Sequence, residues 1–123
     1  MHDFSENLVS VVIPFYNGNA YLYQALASVE LNSEMVAEVI IIVDRGSDQP
    51  KIPSSSNLNI QIVYNHLPDN GAGIVRGIGF DMASAKFVAF LDCDDVWHEK
   101  KLDRQVRAML LNDLAFSFHS FKH

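Results

Sequence analysis

The sequence contains a single cysteine, no long apolar run and no cluster of basic residues, and each absence excludes a class of protein. Cys93 alone cannot form an internal disulfide, which fits a reducing compartment. No apolar run approaches the ~18–20 residues of a transmembrane helix, and the polar, acidic N-terminus is unlike a secretory signal. A formal net charge of −6 without a basic run argues against a nucleic-acid-binding surface. These features predict a cytoplasmic protein.

Length and composition predict a single globular domain over residues 1–123. A chain of 123 residues is the size of one domain rather than two. Hydrophobic residues make up 49% of it, enough to bury a core, and charged residues make up 20%, which is not typical of disorder.

Short apolar segments alternate with segments of helical periodicity. The apolar segments are rich in β-branched residues and predict strands buried on both faces; they cover residues 8–15, 36–44, 60–65 and 86–92, with a candidate fifth strand at 114–121. Apolar residues at helical spacing predict helices over residues 20–31, 72–84 and 99–112. Residues 17–19 offer turn residues and a helix N-cap, and the segment 45–59, which contains proline and serine, is predicted to be a loop.

This alternation predicts an α/β domain with a mostly parallel sheet. In such sheets ligands bind beyond the carboxyl ends of the strands, where the strand order reverses. Polar residues lie at four of these ends: at 16–17, at 44–48, before the helix at 72–84, and at 92–95.

The segment KFVAFLDCDDVW (86–97) ends a buried strand on three carboxylates, Asp92, Asp94 and Asp95. Carboxylates this close repel one another unless a cation or hydrogen-bond donors lie among them. Asp92 and Asp94 fall on one side of a continuing strand, about 6–7 Å apart, and oxygen ligands suit Mg²⁺ or Mn²⁺. A simpler interpretation is a solvated loop in which Asp94 or Asp95 caps the next helix.

Two chemistries use this local pattern, and the cluster alone leaves both open. In a phosphatase similar to the haloacid dehalogenases, Asp92 would be the nucleophile and Asp94 the acid/base. In a glycosyltransferase, a D-x-D motif holds a metal against the diphosphate of a nucleotide sugar. The phosphatase motif normally lies on the first core strand and needs a later lysine and acidic pair. The 28 residues after Asp95 contain no second acidic pair.

Three ordered segments together resemble family 2 glycosyltransferases, which have the GT-A fold. They are VSVVIPFYNGNAYLYQALASV (9–29), IIIVDRGSD (40–48) and NGAGIVRGIGFDMASAKFVAFLDCDDVWHEKKLDRQ (70–105), and they span almost the whole chain. The resemblance implies a Rossmann-like, mostly parallel sheet with flanking helices, truncated after the D-x-D region. It also implies an inverting hexosyltransferase that moves a sugar from a nucleotide-diphosphate donor to an acceptor hydroxyl.

The resemblance assigns a nucleotide-sugar site to eight residues: Pro14, Phe15, Tyr16, Asp44, Arg45, Arg76, Asp92 and Asp94. The segment 14–16 would line the nucleobase pocket, Asp44 would face the nucleoside, and Arg76 would lie near the donor phosphates or the acidic cluster. Asp94 would bind Mn²⁺ or Mg²⁺ directly and Asp92 would contact the ribose or the metal through water. Asp95 would order the loop, and Trp97 would pack under it.

The chain departs from the family pattern at several positions. Arg45 occupies the position of an aspartate that commonly accepts the N3–H of uracil, and a guanidinium has no acceptor. Arg45 is instead expected to pair with a phosphate or with carbonyl edges of another base. Gly77 stands where the family usually has asparagine, and the segment 50–57 replaces a common helix. The general base belongs to a later region of the family, and we find none in this chain.

The family also implies the partners. We expect a saccharide or lipid-linked acceptor, a place in bacterial cell-surface polysaccharide synthesis, and peripheral association with the cytoplasmic face of the membrane. An exposed sheet edge would allow a homodimer. The alternative is a non-catalytic nucleotide- or metal-binding fragment that lacks the acceptor half, and the phosphatase ranks third.

Overall fold

The computed structural model describes residues 7–111 and 118–120. The strands are β1 (Val9–Phe15), β2 (Val36–Val43), β3 (Ile60–Tyr64), β4 (Phe87–Phe90) and β5 (Phe118–Ser120). The helices are α1 (Asn19–Glu30), α2 (Ala72–Met82) and α3 (Lys101–Leu111), and a 3₁₀ turn at Ser33–Met35 precedes β2. No helix in these ranges combines the length and the apolar character needed to cross a bilayer.

The five strands form one sheet in the order β3-β2-β1-β4-β5, and all four strand pairs are parallel. The chain moves outward from β1 through β2 to β3, then returns to the other side of β1 to form β4. The strand order therefore reverses between β1 and β4, which makes their carboxyl ends the predicted place for a ligand. The predicted α/β class with a mostly parallel sheet is confirmed.

The central strands are buried on both faces, which explains why they read as continuous apolar runs rather than as alternating ones. On one face, Leu22 of α1 and Val106 of α3 pack in the same core cluster as Ile13 of β1. On the other face, Val75 of α2 packs with Val12 of β1. Because side chains of a strand point alternately to its two faces, neighbouring residues 12 and 13 anchor opposite layers.

Helix α2 approaches β1 most closely at Gly79. A Cβ atom added to Gly79 would lie 2.3 Å from Cγ1 of Val12, far inside van der Waals contact. The same atom added to Gly77, two residues earlier on α2, would meet nothing within 4 Å. Gly79 therefore sets the distance between α2 and the sheet.

A buried carboxylate lies near the amino-terminal ends of β1 and β2. Glu38 of β2 is 6% exposed, and its Oε2 accepts hydrogen bonds from the Ser10 hydroxyl at 2.6 Å and from the N–H and hydroxyl of Ser84, both at 2.8 Å. Burial alone would raise the pKa of Glu38, but these hydrogen bonds hold that pKa below its usual value. Glu38 thus fastens the connection between α2 and β4 to the central strands as an ionised group.

Asn32, which follows α1, joins that helix to α3. Its side chain is buried, and its Nδ2 donates to the carbonyls of Ser28 and His98, both at 3.1 Å, while its Oδ1 accepts from the N–H of Leu102 at 3.0 Å. The segment between β4 and α3 is therefore held against the end of α1 at the point where it leads into α3.

The structure places most elements within one or two residues of their predicted bounds. Helix α3 begins at Lys101 rather than 99 because Lys100 has a left-handed φ of 66°, which no α-helix can include. The segment 45–59 contains no helix or strand, as predicted. The predicted strand 114–121 is described only at 118–120, and its other residues lie outside the described part of the chain.

The N-cap of α1 lies within residues 17–19, as predicted: it is Gly18, and no side chain bonds to the first turn of the helix. The two asparagines bond elsewhere: Oδ1 of Asn17 accepts from the N–H of Asp48 at 2.7 Å, and Nδ2 of Asn19 donates to the carbonyl of Gln49 at 2.8 Å. A short polar side chain serves a distant loop as readily as its own helix, and the sheet brings that loop alongside.

Candidate functional site

An open cleft of about 290 Å³ lies at the carboxyl ends of β1, β2 and β4, between the first turns of α1 and α2. It is lined by Pro14, Phe15, Tyr16, Asn17, Gly18, Tyr21, Asp44, Ala72, Val75, Cys93 and Asp94. The cleft lies where the strand order reverses, as the sheet topology predicts. A larger surface groove of about 410 Å³ runs between the end of α1 and α3 and contains none of the predicted site residues.

One wall of the cleft presents an exposed aromatic ring. Tyr16 follows the last residue of β1 and is 60% exposed, whereas its neighbour Phe15 is buried in the core. The ring of Tyr16 lies beside Gly46, where an added Cβ would be 4.0 Å from Cε1. A tyrosine held in this way offers a flat apolar face with a polar tip, which suits stacking against a planar ligand.

The turn between β1 and α1 is joined to the loop after β2. Asn17 has a left-handed φ of 50°, and its N–H donates to the hydroxyl of Ser47 at 2.8 Å. Together with the bonds from Asn17 to Asp48 and from Asn19 to Gln49, this contact makes the two segments one wall. Asparagine adopts the left-handed conformation more readily than other residues with a side chain.

Asp44 lies at the end of β2 and is 9% exposed. Its Oδ1 accepts from the N–H of Arg45 at 2.8 Å and from Nδ2 of Asn65 at 3.0 Å, and its Oδ2 accepts from the N–H of Gly71 at 2.8 Å. Burial raises the pKa of Asp44, but these bonds and the charge of Arg45 outweigh it and hold the pKa below its usual value. Asp44 is thus an ionised wall residue that fastens the start of α2 to β2.

The guanidinium of Arg45 bonds to the chain between β3 and α2. Its Nη1 donates to the carbonyl oxygens of Leu67 at 3.0 Å and Pro68 at 2.6 Å. Arg45 does not line the cleft. The expected contact of Arg45 with a phosphate or a base carbonyl stays a prediction, and in the structure its guanidinium bonds to backbone carbonyls.

The three carboxylates after β4 form one cluster. The N–H of Asp95 donates to the carbonyl of Asp92 at 2.9 Å, which closes a tight turn. Asp92, Asp94 and Asp95 each offer an oxygen within 4.8 Å of the others. Two oxygens that share one Mg²⁺ are at most about 4.2 Å apart, a little less than the limit within which this set falls. The cluster therefore offers the donor type that a hard divalent cation prefers, and Asp95 belongs to it as well as to the turn.

Arg76 of α2 forms an ion pair with the first of these carboxylates. Its Nη2 lies 2.7 Å from Oδ1 of Asp92, and both side chains are partly exposed. The pair places Arg76 against the acidic cluster, one of the two positions expected for it. It joins α2 to the turn after β4 and offsets part of the charge there.

Cys93 lines the cleft and packs against the start of α1. Its Sγ lies 3.6 Å from the carbonyl oxygen of Gly18, and a Cβ added to Gly18 would come within 2.7 Å of that sulfur. Burial, with smaller contributions from Asp94 and Asp92, raises the pKa of the thiol to about 11. The thiol is therefore neutral near pH 7, and its role is to fit the acidic turn against the start of α1.

The structure brings together most of the site predicted from sequence. Pro14, Phe15, Tyr16, Asp44 and Asp94 line the cleft, and the pair of Arg76 and Asp92 lies beside it. Arg45 is directed elsewhere. Sequence reasoning missed Tyr21, a 52% exposed residue on the first turn of α1 that also lines the cleft. The only sign of this role in the sequence is that Tyr21 is an aromatic residue on the polar side of a predicted helix.

The family model for glycosyl transferase family 2 matches residues 10–122 of this chain. The protein belongs to this family. Membership favours the glycosyltransferase interpretation of the acidic cluster over the phosphatase one. It also agrees with the resemblance carried by residues 9–29, 40–48 and 70–105.

Named relatives lie in bacterial glycan pathways. The chain is 31% identical over 117 residues to the Escherichia coli UDP-Glc:alpha-D-GlcNAc-diphosphoundecaprenol beta-1,3-glucosyltransferase WfgD, covering 94% of this chain and 46% of that protein. It is 33% identical over 117 residues to the putative teichuronic acid biosynthesis glycosyltransferase TuaG of Bacillus subtilis, covering 93% and 46%. The family 2 domain described here thus spans less than half the length of either relative.

A solved structure supports the fold. The S. aureus TarS fragment 1–349, crystallised with UDP-GlcNAc, superposes with a TM-score of 0.70 at 23% identity, covering 85% of this chain and 32% of that one. At this identity the likeness speaks for the fold, and together with the observed sheet it identifies the family 2 domain as a GT-A fold.

Proposed function

We propose that this domain binds the nucleotide-diphosphate-sugar donor of an inverting, metal-assisted hexosyl transfer. The observation that carries the proposal is the pairing of an exposed aromatic wall at Tyr16 with a carboxylate cluster at Asp94 in one cleft. A nucleoside diphosphate has a planar base at one end and a charged diphosphate at the other. The cleft offers a surface suited to each.

The nucleoside end is formed by Tyr16 and Asp44. The ring of Tyr16 stacks on the base and gains both burial and a stacking contribution of about 0.5–1.5 kcal/mol. Asp44 stays ionised and accepts three hydrogen bonds from the protein, while a carboxylate has about four acceptor positions. It therefore retains room for one donor from the ligand.

The diphosphate end is formed by the acidic cluster. Asp94 would hold Mn²⁺ or Mg²⁺ directly, with Asp92 in support, and the bound cation would neutralise the charge that develops on the leaving diphosphate. Arg76 forms an ion pair with Asp92 at 2.7 Å and so joins the cluster to α2.

Transfer then follows from this arrangement. The acceptor hydroxyl attacks the anomeric carbon from the face opposite the diphosphate, the bond from that carbon to the diphosphate oxygen breaks, and the configuration inverts. A base takes the hydroxyl proton, and we assign that role to none of the residues described here. The names of WfgD and TuaG support a saccharide or lipid-linked acceptor and a place in cell-surface polysaccharide synthesis. The cytoplasmic face of the membrane is the corresponding location.

Calorimetric titration with UDP, GDP, CDP and dTDP, each with and without Mn²⁺, tests the proposal. Replacing Asp94 by Asn should weaken Mn²⁺-dependent nucleotide binding by at least about tenfold, because it removes a charged metal ligand. Asp81→Asn is the matched control: Asp81 is exposed on α2 and does not line the cleft. If Asp94→Asn bound nucleotide with Mn²⁺ as tightly as the parent, the metal assignment would be wrong.

A donor-hydrolysis assay separates an enzyme from a non-catalytic binding domain. With Mn²⁺ and a nucleotide sugar, slow hydrolysis of the nucleotide sugar is expected if the site activates the leaving group. Binding without hydrolysis would favour the alternative of a nucleotide-binding fragment.

A further inference from the structure

The connection between β3 and α2, residues 65–71, is fastened to the end of β2 by side chains, in addition to the backbone bond from the N–H of Asn65 to the carbonyl of Val43 at 2.9 Å. Asp44 accepts from Asn65 at 3.0 Å and from the N–H of Gly71 at 2.8 Å, so it holds both ends. Asn65 also accepts the N–H of Leu67 at 2.9 Å and donates to the carbonyl of Asp69, also at 2.9 Å. These bonds close the connection into a compact loop.

Arg45 secures the middle of this loop. Its Nη1 bonds to the carbonyls of Leu67 and Pro68, which lie at the exposed surface of the protein. Arg45 is adjacent to Asp44 in sequence, so two consecutive residues after β2 hold the loop: Asp44 bonds to both ends and Arg45 bonds to the centre. A planar guanidinium presents several donors in a fixed geometry and can bridge two neighbouring carbonyls in a way that an ammonium matches only in part.

The loop delivers the first turn of α2 to the cleft. Ala72 and Val75 line the cleft directly after the loop ends at Gly71, and Asp44 lines the same wall. The turn that carries the acidic cluster follows β4 rather than the loop, and its own bond from the N–H of Asp95 to the carbonyl of Asp92 closes it. It contacts α2 through the ion pair to Arg76, a turn beyond Ala72. A loosened loop would therefore displace the wall near the nucleoside more than the cation cluster.

We infer that Arg45 is a positioning residue: it fixes loop 65–71, and through it the first turn of α2, so that the nucleoside end of the cleft is preformed. The inference rests on the proposed function, since it presumes that a nucleotide occupies the cleft. Arg45 would thus affect the affinity for the nucleotide although its guanidinium does not contact the phosphates.

The test compares UDP and inorganic pyrophosphate, each with Mn²⁺, as calorimetric probes of Arg45→Gln, Arg45→Lys and the parent protein. Pyrophosphate probes the cation cluster alone, whereas UDP also needs the nucleoside wall. Arg45→Gln is expected to weaken UDP binding about tenfold, the scale of two lost charge-assisted bonds, and to change pyrophosphate binding by less than about twofold. Arg45→Lys is expected to recover part of the UDP affinity, because an ammonium can still donate to one of the carbonyls.

Arg104→Gln is the matched control: it removes the same charge from an exposed position on α3, and it should change neither affinity. Unchanged UDP binding in Arg45→Gln would overturn the inference. So would an equal loss of UDP and pyrophosphate binding, which would indicate a direct phosphate contact or a general loss of fold. If the parent protein bound no nucleoside diphosphate more tightly than it bound pyrophosphate, the proposed function would fail, and the inference with it.

Discussion

The close approach of α2 to the sheet gives a prediction whose size can be worked out from two glycines on one helix. Gly77 and Gly79 both lie inside α2, so replacing either by alanine gains the same helix propensity, about 1 kcal/mol. Only Gly79 faces β1, and its new Cβ would lie 2.3 Å from Cγ1 and 3.0 Å from Cγ2 of the buried Val12. Comfortable carbon contacts need about 3.5–4.0 Å, so helix and strand would have to separate by roughly 1 Å.

Overpacking of this kind costs about 1–3 kcal/mol. After the propensity gain, Gly79→Ala should lower the free energy of unfolding by up to about 2 kcal/mol, while Gly77→Ala should raise it by up to about 1 kcal/mol. The difference between the variants, about 1–3 kcal/mol, isolates the packing contribution because the propensity gain cancels. Urea unfolding followed by circular dichroism measures it. Two variants that agreed within about 0.5 kcal/mol would refute the assigned contact.

Three further predictions concern bonds and contacts that join distant segments. Glu38→Gln should lower stability at pH 7 by about 1–3 kcal/mol. The folded state lowers the pKa of Glu38. Its contribution to the free energy of unfolding is therefore present above the usual glutamate pKa of about 4.3 and is lost as the pH falls through the lower folded pKa. Urea unfolding across that range should show that the free energy of unfolding falls less steeply with decreasing pH in the variant than in the parent. Asn32→Ala should cost about 1–3 kcal/mol in urea unfolding, because it leaves the buried N–H of Leu102 without its acceptor, and a loss below that range would contradict the bonding described. Gly18→Ala should be less destabilising in a Cys93→Ala background than alone, because the sulfur is the nearest atom to the new Cβ; a double-mutant cycle showing no coupling would exclude that contact.

The elements of the fold were accessible from sequence because burial leaves a strong pattern in this chain. Strands β1 and β2 are apolar except for Ser10 and Glu38, which bond to each other, and near-continuous apolar runs are typical of parallel strands covered on both faces. The aspartates that follow β4 marked the carboxyl end of that strand, the edge at which sheets of this kind commonly bind ligands. Boundaries were less accessible: Lys100 gives no sign in its identity that it adopts a left-handed conformation and delays α3.

The contacts within the site were not accessible in the same way. Residues 17–19 were expected to supply a helix N-cap, and Gly18 is that cap, but nothing in the sequence showed that Asn17 would bond to Ser47 and Asp48, 30 and 31 residues away. Arg45 was expected to pair with a phosphate or a base carbonyl, and nothing in the sequence showed that its guanidinium would bond to the carbonyls of Leu67 and Pro68. Both outcomes depend on which segments the strand order places side by side, and a polar side chain near a turn has several partners of similar strength to choose from.

The contact between Cys93 and Gly18 joins residues 75 positions apart in the chain, and this has a kinetic consequence. Parallel pairings require long loops to close before any contact rewards them, so sheets of this kind fold slowly. The cleft is lined by segments that follow β1, β2 and β4, and pairing of these three strands brings the segments together. A ligand that binds the completed cleft and not the unfolded chain therefore stabilises the whole fold, by an amount that grows with the logarithm of the ligand concentration.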